Sequence, residues 1–213
     1  TYDMASLGYI TEGDRIYAPK EIIRFNESAF SLPQVITDPY GNETGIEYDS
    51  HHLFAVRINN PLDEITEAEY DYRVLQARKI TDPNGNYQTV GFDTLGMVTA
   101  LAITGKYGEG DTLADPTERY EYDLYNWAEK QKPVFAHVSK RETHGDNNTC
   151  WLESYVYTDG LGNEIMSKTR VADGRAWTIE SDIPVQVECT DRWLASGKTI
   201  LNNKGLAVRQ YEP

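Results

Sequence analysis

Three stretches of the chain repeat one another in frame. "ITDPYGNETGIEYDSHH" begins at Ile36, "INNPLDEITEAEYDYRV" at Ile58 and "ITDPNGNYQTVGFDTLG" at Ile80, a period of 22 residues without a gap. Ile36, Ile58 and Ile80 align, as do Pro39, Pro61 and Pro83. Tyr48, Tyr70 and Phe92 follow in register, and then Asp49, Asp71 and Asp93. Self-similarity at a fixed period marks a supersecondary unit that needs neighbours to bury its apolar surface. Residues 80–96 are therefore one tile of an array rather than an isolated site.

Within a tile the local chemistry is that of a hairpin. Asp-Pro-x-Gly-Asn suits a turn, because Pro39 and Pro83 preset φ while Gly41 and Gly85 accept positive φ. After the turn, Thr44, Ile46 and Tyr48 share one face and Gly45, Glu47 and Asp49 the other, the period of two that marks a strand. "LFAVRI" (53–58) and "MVTALAI" (97–103) read as return strands. An even repeat returns each aromatic to the same face, so Tyr48, Tyr70 and Phe92 are expected to form a cross-strand ladder. Each buried ring would contribute about 1.5–3 kcal/mol. The second copy carries "NPLDE" (60–64), which lacks the turn glycine and predicts a wider loop.

Outside the three copies the style persists without strict register. "RYEYDLYNW" (119–127), "YVYTDGLGNEIMSKTRV" (155–171) and "GKTILNNKGLAVRQY" (197–211) each carry strand and turn patterns. "GKYGEGDTLADPTE" (105–118) and "ETHGDNNTC" (142–150) read as loop insertions. "DRIYAPKEIIRF" predicts a strand pair around Pro19, and "YNWAEKQKP" (125–133) is a short helix candidate. The resulting division is an irregular β lead-in over 1–35, three repeats and a return strand over 36–104, and degenerate hairpins over 105–213.

Composition narrows the function classes. Fifteen tyrosines and 39% hydrophobic residues predict a folded, β-rich chain with a real core. A formal charge of -14 repels phosphate backbones and anionic membranes, which disfavours nucleic-acid and membrane partners. No apolar run reaches the length of a membrane span, and the first residues show no secretion signal. Cys150 and Cys189 have neither metal-ligand nor redox spacing and are expected as two small buried hydrophobes in preference to a disulfide. Both ends have the look of a cut, so a longer parent protein is expected.

Tiles of the form Asp-Pro-x-Gly-Asn…Tyr-x-Tyr-Asp-x-x-Gly, the last glycine represented by Gly96, resemble the Rhs/YD-repeat proteins. Residues 69–106, 119–165 and 197–213 resemble the B-component of bacterial Tc insecticidal toxins. The strings "DYRVLQ", "FDTLGMV" and "NNKGLAVRQYEP", in that order, are its most specific part. The resemblance covers residues 30–213. It implies an all-β fold, an antiparallel sheet of stacked hairpins forming an arc of a larger spiralling shell. It also implies a bacterial protein, secreted or at the cell surface. The implied partners are the rest of a longer chain, a C-component, a pore-forming A-component and an enclosed toxin polypeptide. The family's self-cleaving Asp-Pro-x-Gly-Leu element and its propeller are missing from this sequence, so neither autoproteolysis nor pore docking is assigned to it.

No residue set stands out as a reactive centre, and no cofactor or metal is expected. Asp49, Asp71 and Asp93 read as strand-end residues accepting backbone N–H groups in preference to hydrolytic carboxylates. Glu109, Asp111 and Asp115 lack the spacing of a calcium loop and read as a solvated acidic loop. His51 and His52 are adjacent, so on a strand they point apart, and His137 and His144 form no local ligand motif. Asn26, Asn42 and Asn147 head chance glycosylation triplets. The rival reading is a carbohydrate- or protein-binding β module using Trp127, Trp151, Trp177 and Trp193; a hydrolase is the weakest of the three.

Overall fold

A computed structural model describes residues 5–18 and 20–211. Pro19, and Glu212 and Pro213 at the end of the last quoted motif, lie outside the described residues. The fold is all-β. Two short strands, β1 (Ile10–Glu12) and β2 (Arg15–Tyr17), pair with each other. There follow β3 (Ile22–Asn26), β4 (Leu32–Thr37), β5 (Glu43–Tyr48), β6 (Ala55–Asn59), β7 (Ile65–Asp71), β8 (Gln76–Thr81), β9 (Tyr87–Phe92) and β10 (Val98–Thr104). Next come β11 (Glu118–Asp123), the single-turn helix α1 (Asn126–Lys130), β12 (Val134–Arg141), β13 (Trp151–Thr158) and β14 (Glu164–Val171). The chain ends with β15 (Gly174–Glu180), β16 (Ile183–Cys189), β17 (Arg192–Ser196), β18 (Thr199–Leu201) and β19 (Ala207–Gln210).

Strands β3 to β14 follow one another in sequence order through a single antiparallel sheet, and β17 completes it beside β14, making thirteen strands that do not close on themselves. The pairs β15–β16 and β18–β19 stand as separate two-stranded sheets. The strands expected on either side of Pro19 both exist, but not as a pair: β2 binds β1 and β3 binds β4. The short helix lies inside the segment expected for it, whereas 172–196, which carries no repeat signature, holds three strands.

The chain divides into two compact units, one comprising Thr1–Val90 with Ile103–Glu109, the other Gly91–Ala102 with Gly110–Pro213. In the first unit, Asp38 accepts the N–H groups of Tyr40 and Asn42 at 2.8 and 2.9 Å, while Gly41 N–H donates to the Asp38 carbonyl at 3.0 Å. Asp82 heads the same three-residue loop with Asn84, Gly85 and Asn86. So does Asn60, with Leu62, Asp63 and Glu64. The wider loop expected at "NPLDE" is not formed. Asp63 adopts the positive φ of 59° that Gly41 and Gly85 adopt at 87°, because Asp tolerates this conformation better than most residues with a Cβ.

The other strand ends turn at Asp49, Asp71 and Asp93. Turn heads thus recur every 11 residues, at 38, 49, 60, 71, 82 and 93, one strand and one turn each, so that alternate heads fall at opposite strand ends.

The register places Ile46 opposite Ile58 and Ala68 opposite Ile80 on one face. Glu47 opposite Arg57, and Glu69 opposite Lys79, occupy the other, where Arg57 reaches Glu67 at 3.4 Å and Lys79 reaches Glu69 at 3.8 Å. On the apolar face Ile46 and Ala68 are half-buried, and Ile58 and Ile80 stay exposed. The expected core is therefore not there: among described apolar residues only Ala29, Ala102 and Pro116 are buried. A single sheet has no second layer to bury its apolar side chains against.

Candidate functional site: an aromatic face and a locked pair of insertions

The aromatic ladder lies elsewhere than the repeat suggests. Tyr48 pairs with Ala55 and Tyr70 with Ala77, so β6 separates the β5 and β7 rings by two strand spacings, about 9.5 Å. Tyr70 instead stacks on Phe54, centroids 4.2 Å apart, and its hydroxyl donates to the Ala55 carbonyl at 3.2 Å. Phe92 closes β9 half-buried.

An aromatic cluster forms in the second unit on β12, β13 and β17, with β14 running between the last two. His137 stacks on Tyr155 at 4.2 Å and 5°, Phe135 meets Tyr155 edge-on at 5.4 Å, and Trp193 meets it edge-on at 5.3 Å. The register puts His137 directly opposite Tyr155, the position in which cross-strand pairs interact best. His137 Nδ1 lies 3.2 Å from Glu121 and its Nε2 4.0 Å from Glu153. Burial pushes the Tyr155 phenol up, and the Glu153 charge adds to it. The face presents aromatic surface flanked by carboxylates, with no cluster of three metal-ligating side chains among the described residues.

Residues 110–118 of the first insertion meet the second insertion in the same unit. Asp111, expected in a solvated loop, is buried, and Arg141 Nη1 reaches it at 3.0 Å. Asp111 also accepts Gly145 N–H at 2.8 Å and the Thr117 hydroxyl at 2.7 Å, and His144 Nδ1 lies 2.6 Å away. Arg141 donates further to the Pro116 carbonyl at 3.1 Å, contacts Asp115 and lies over the Trp151 ring. Burial raises the Asp111 carboxyl, but the donors from Gly145, Thr117 and His144 and the Arg141 charge outweigh it and hold the group below the ordinary range. The sequence signal was obscured because Asp111 and Arg141 stand 30 residues apart with neither in a repeat. The arrangement ties one loop to another.

The remaining candidates scatter. Asp49 is buried and accepts the N–H groups of His51, Leu53 and Phe54 and the Tyr72 hydroxyl. Burial raises its carboxyl, yet these donors hold it far below the usual range. Asp71 accepts Arg73 N–H, and Asp93 accepts those of Leu95 and Met97. The three do not converge. His51 and His52 occupy a turn rather than a strand, His52 at φ 54°, and pack against Tyr72 and Phe30 respectively. Cys150 and Cys189 are free thiols, but neither is buried as expected: Cys150 is exposed and Cys189 half-buried, since a single sheet offers no interior to hold them. Trp151 lies 4.2 Å from the Arg119 guanidinium and Trp193 donates to Asp191, whereas Trp127 and Trp177 are exposed.

No protein-family model matches the chain, and no curated protein matches it by sequence. Solved structures do. The crystal structure of TcdB2-TccC3 superposes on 98% of this chain with a TM-score of 0.77 at 19% identity. The crystal structure of TcdB2-TccC3-Cdc42, and that of TcdB2-TccC3 without its hypervariable C-terminal region, each superpose on 98% with a TM-score of 0.73 at 17% identity. The chain spans 12% to 14% of the length of those chains. These are Tc toxin structures, and this chain has the all-β fold of the segment of them on which it lies.

Proposed function

We propose that the chain is a length of wall in a YD-repeat shell, structural rather than catalytic, and that the shell holds a toxic polypeptide until delivery. One observation carries the reading: an open antiparallel sheet, turned every 11 residues from Asp38 to Asp93, that superposes on TcdB2-TccC3 over 98% of the chain. Continuous strand pairing satisfies the backbone within the sheet, so such a wall can be thin and still exclude passage. Its partners on this reading are the remainder of a longer chain, a C-component, a pore-forming A-component and the enclosed toxin. The parent is a secreted or surface bacterial protein, and this segment touches neither nucleic acid nor membrane. Pro39, Gly41, Pro61, Pro83, Gly85 and Gly96 serve turn geometry, and Tyr48, Tyr70, Phe92, Asp49, Asp71 and Asp93 finish strands. The test is protease challenge of the full-length parent assembled with its C-component. The payload segment should survive until the shell is denatured, and equal digestion before and after denaturation would reject enclosure.

A second reading rests on Trp127, which is 59% exposed and borders a 390 Å³ cleft with Pro133, Val134, Thr158 and Ile165. An exposed indole beside an apolar wall can stack a sugar ring. Glycan-array binding lost in Trp127→Ala would favour this reading over containment alone.

A further inference from the structure

Residues 172–191 are an insertion into the sheet. β14 pairs directly with β17, Val171 opposite Arg192, and everything between leaves the sheet as the β15–β16 hairpin. The tip is a two-residue turn, Ser181 at φ 49° and Asp182 at φ 67°, the mirror-image turn that suits strand twist. At the base, Gly174 has φ 152° and a Cβ there would collide with the Arg192 guanidinium. Arg175 and Glu188 pair across the strands at 3.2 Å. Two strands alone are marginally stable, yet this arm exposes Trp177 at 70%, Ile179 at 74% and Ile183 at 63%.

The register determines which backbone groups face outward. Glu180↔Ile183 flanks a two-residue turn and is a hydrogen-bonded pair, so Ile179↔Pro184, Trp177↔Gln186 and Arg175↔Glu188 are non-hydrogen-bonded pairs. The N–H and C=O groups of Arg175, Trp177 and Ile179 therefore point away from β16. On the far edge the equivalent position is Pro184, which has no N–H and blunts that edge. The arm thus has one closed edge and one open edge, and Trp177 and Ile179 lie on the same face of the open one.

We propose that the outer edge of β15 is a docking site for an extended, basic polypeptide strand with apolar residues at alternate positions. Backbone pairing would supply the affinity, and Trp177 and Ile179 would receive the alternate side chains. Charge selects the partner. From 173 to 191 the arm carries five carboxylates, Asp173, Glu180, Asp182, Glu188 and Asp191, against Arg175 alone. A second copy of the arm would bring like charges together, and insertion of the tip into lipid would carry Glu180 and Asp182 in first. A strand bearing lysines meets neither obstacle. This inference does not depend on the wall reading.

The experiment is calorimetric titration of the 213-residue chain with a heptapeptide alternating valine and lysine, beside one alternating valine and glutamate. The lysine peptide should bind at least tenfold more tightly and slow amide exchange at Trp177 and Ile179. Ile179→Pro removes an outward N–H without breaking a rung of the hairpin and should weaken binding tenfold or more. Trp177→Ala, which leaves the backbone intact, should weaken it severalfold. Equal affinity for the two peptides, or no binding, overturns the proposal. So does self-association abolished by Ile179→Pro, or binding to phospholipid vesicles abolished by Trp177→Ala.

Discussion

Asp111 and Arg141 are the residues with most at stake. Arg141→Ala leaves a carboxylate buried without its countercharge, which costs about 3 kcal/mol, the lower end for breaking a buried pair because solvent lies close to a single sheet. Chemical denaturation of the variant against the parent chain measures this, and a change below about 0.5 kcal/mol would mark the pair as a surface contact. The same group sets an acid response. Asp111, Asp38, Asp82 and Asp159 all have carboxyl pKa values held below the ordinary value. For Asp38, Asp82 and Asp159 the leading cause is the Asn side chain four residues on. Folded values below unfolded ones mean stability that is complete above the unfolded pKa, about 4, and is lost as pH falls through the folded values. Melting temperature should thus hold level down to about pH 4 and fall below it. Asp82→Asn should keep its turn at neutral pH, as Asn60 heads the same loop naturally, and should weaken the acid response; Asp82→Ala should lose the turn.

Among the elements, the hairpin loops and the aromatic face make opposite demands on sequence. Asp63 carries a Cβ at a φ that its counterparts Gly41 and Gly85 reach without strain. Asp63→Gly should therefore stabilise the chain by about 0.5–1 kcal/mol, read from the denaturation midpoint at unchanged slope. A loss of stability would show that the Asn59–Asp63 contact outweighs backbone strain. On the aromatic face, Tyr155 meets four other rings. Tyr155→Ala should cost about 3 kcal/mol, more than the same change at Tyr48. Equal costs at the two positions would place the ladder back on the repeat.

For the whole molecule, surface is the dominant fact. The chain leaves 15,531 Å² accessible at 24.2 kDa, against about 10,000 Å² for a compact monomer of that mass. The sheet also ends at β3, whose one partner among the described strands is β4 and where Ile22 and Phe25 are exposed. Open edges of this kind pair with other chains. The isolated chain should associate with rising concentration in light scattering, and Ile22→Lys should reduce that association. A monomer unchanged across the concentration range would show that the edge is already protected.

How much of this was legible follows from what a residue can sense of its neighbours along the chain. Turn and strand identity is local: Asp-Pro-x-Gly-Asn carries its own φ preferences and acceptors, so the hairpins from β4 to β10 could be read from the 22-residue period. Even there the 11-residue spacing of turn heads was hidden, because Asp38 and Asp49 turn the chain with different residues around them. Which rings touch is not local, since Tyr155 meets Trp193 across β14, a partner far from it in sequence. The same holds for the lock between Asp111 and Arg141, and for the arm from 174 to 189, whose strands belong to no repeat. Periodicity along the chain determined that this protein is an antiparallel array of hairpins. Only strand order and register, which join residues far apart in sequence, decided where charge is buried, where rings stack and which edge is left open.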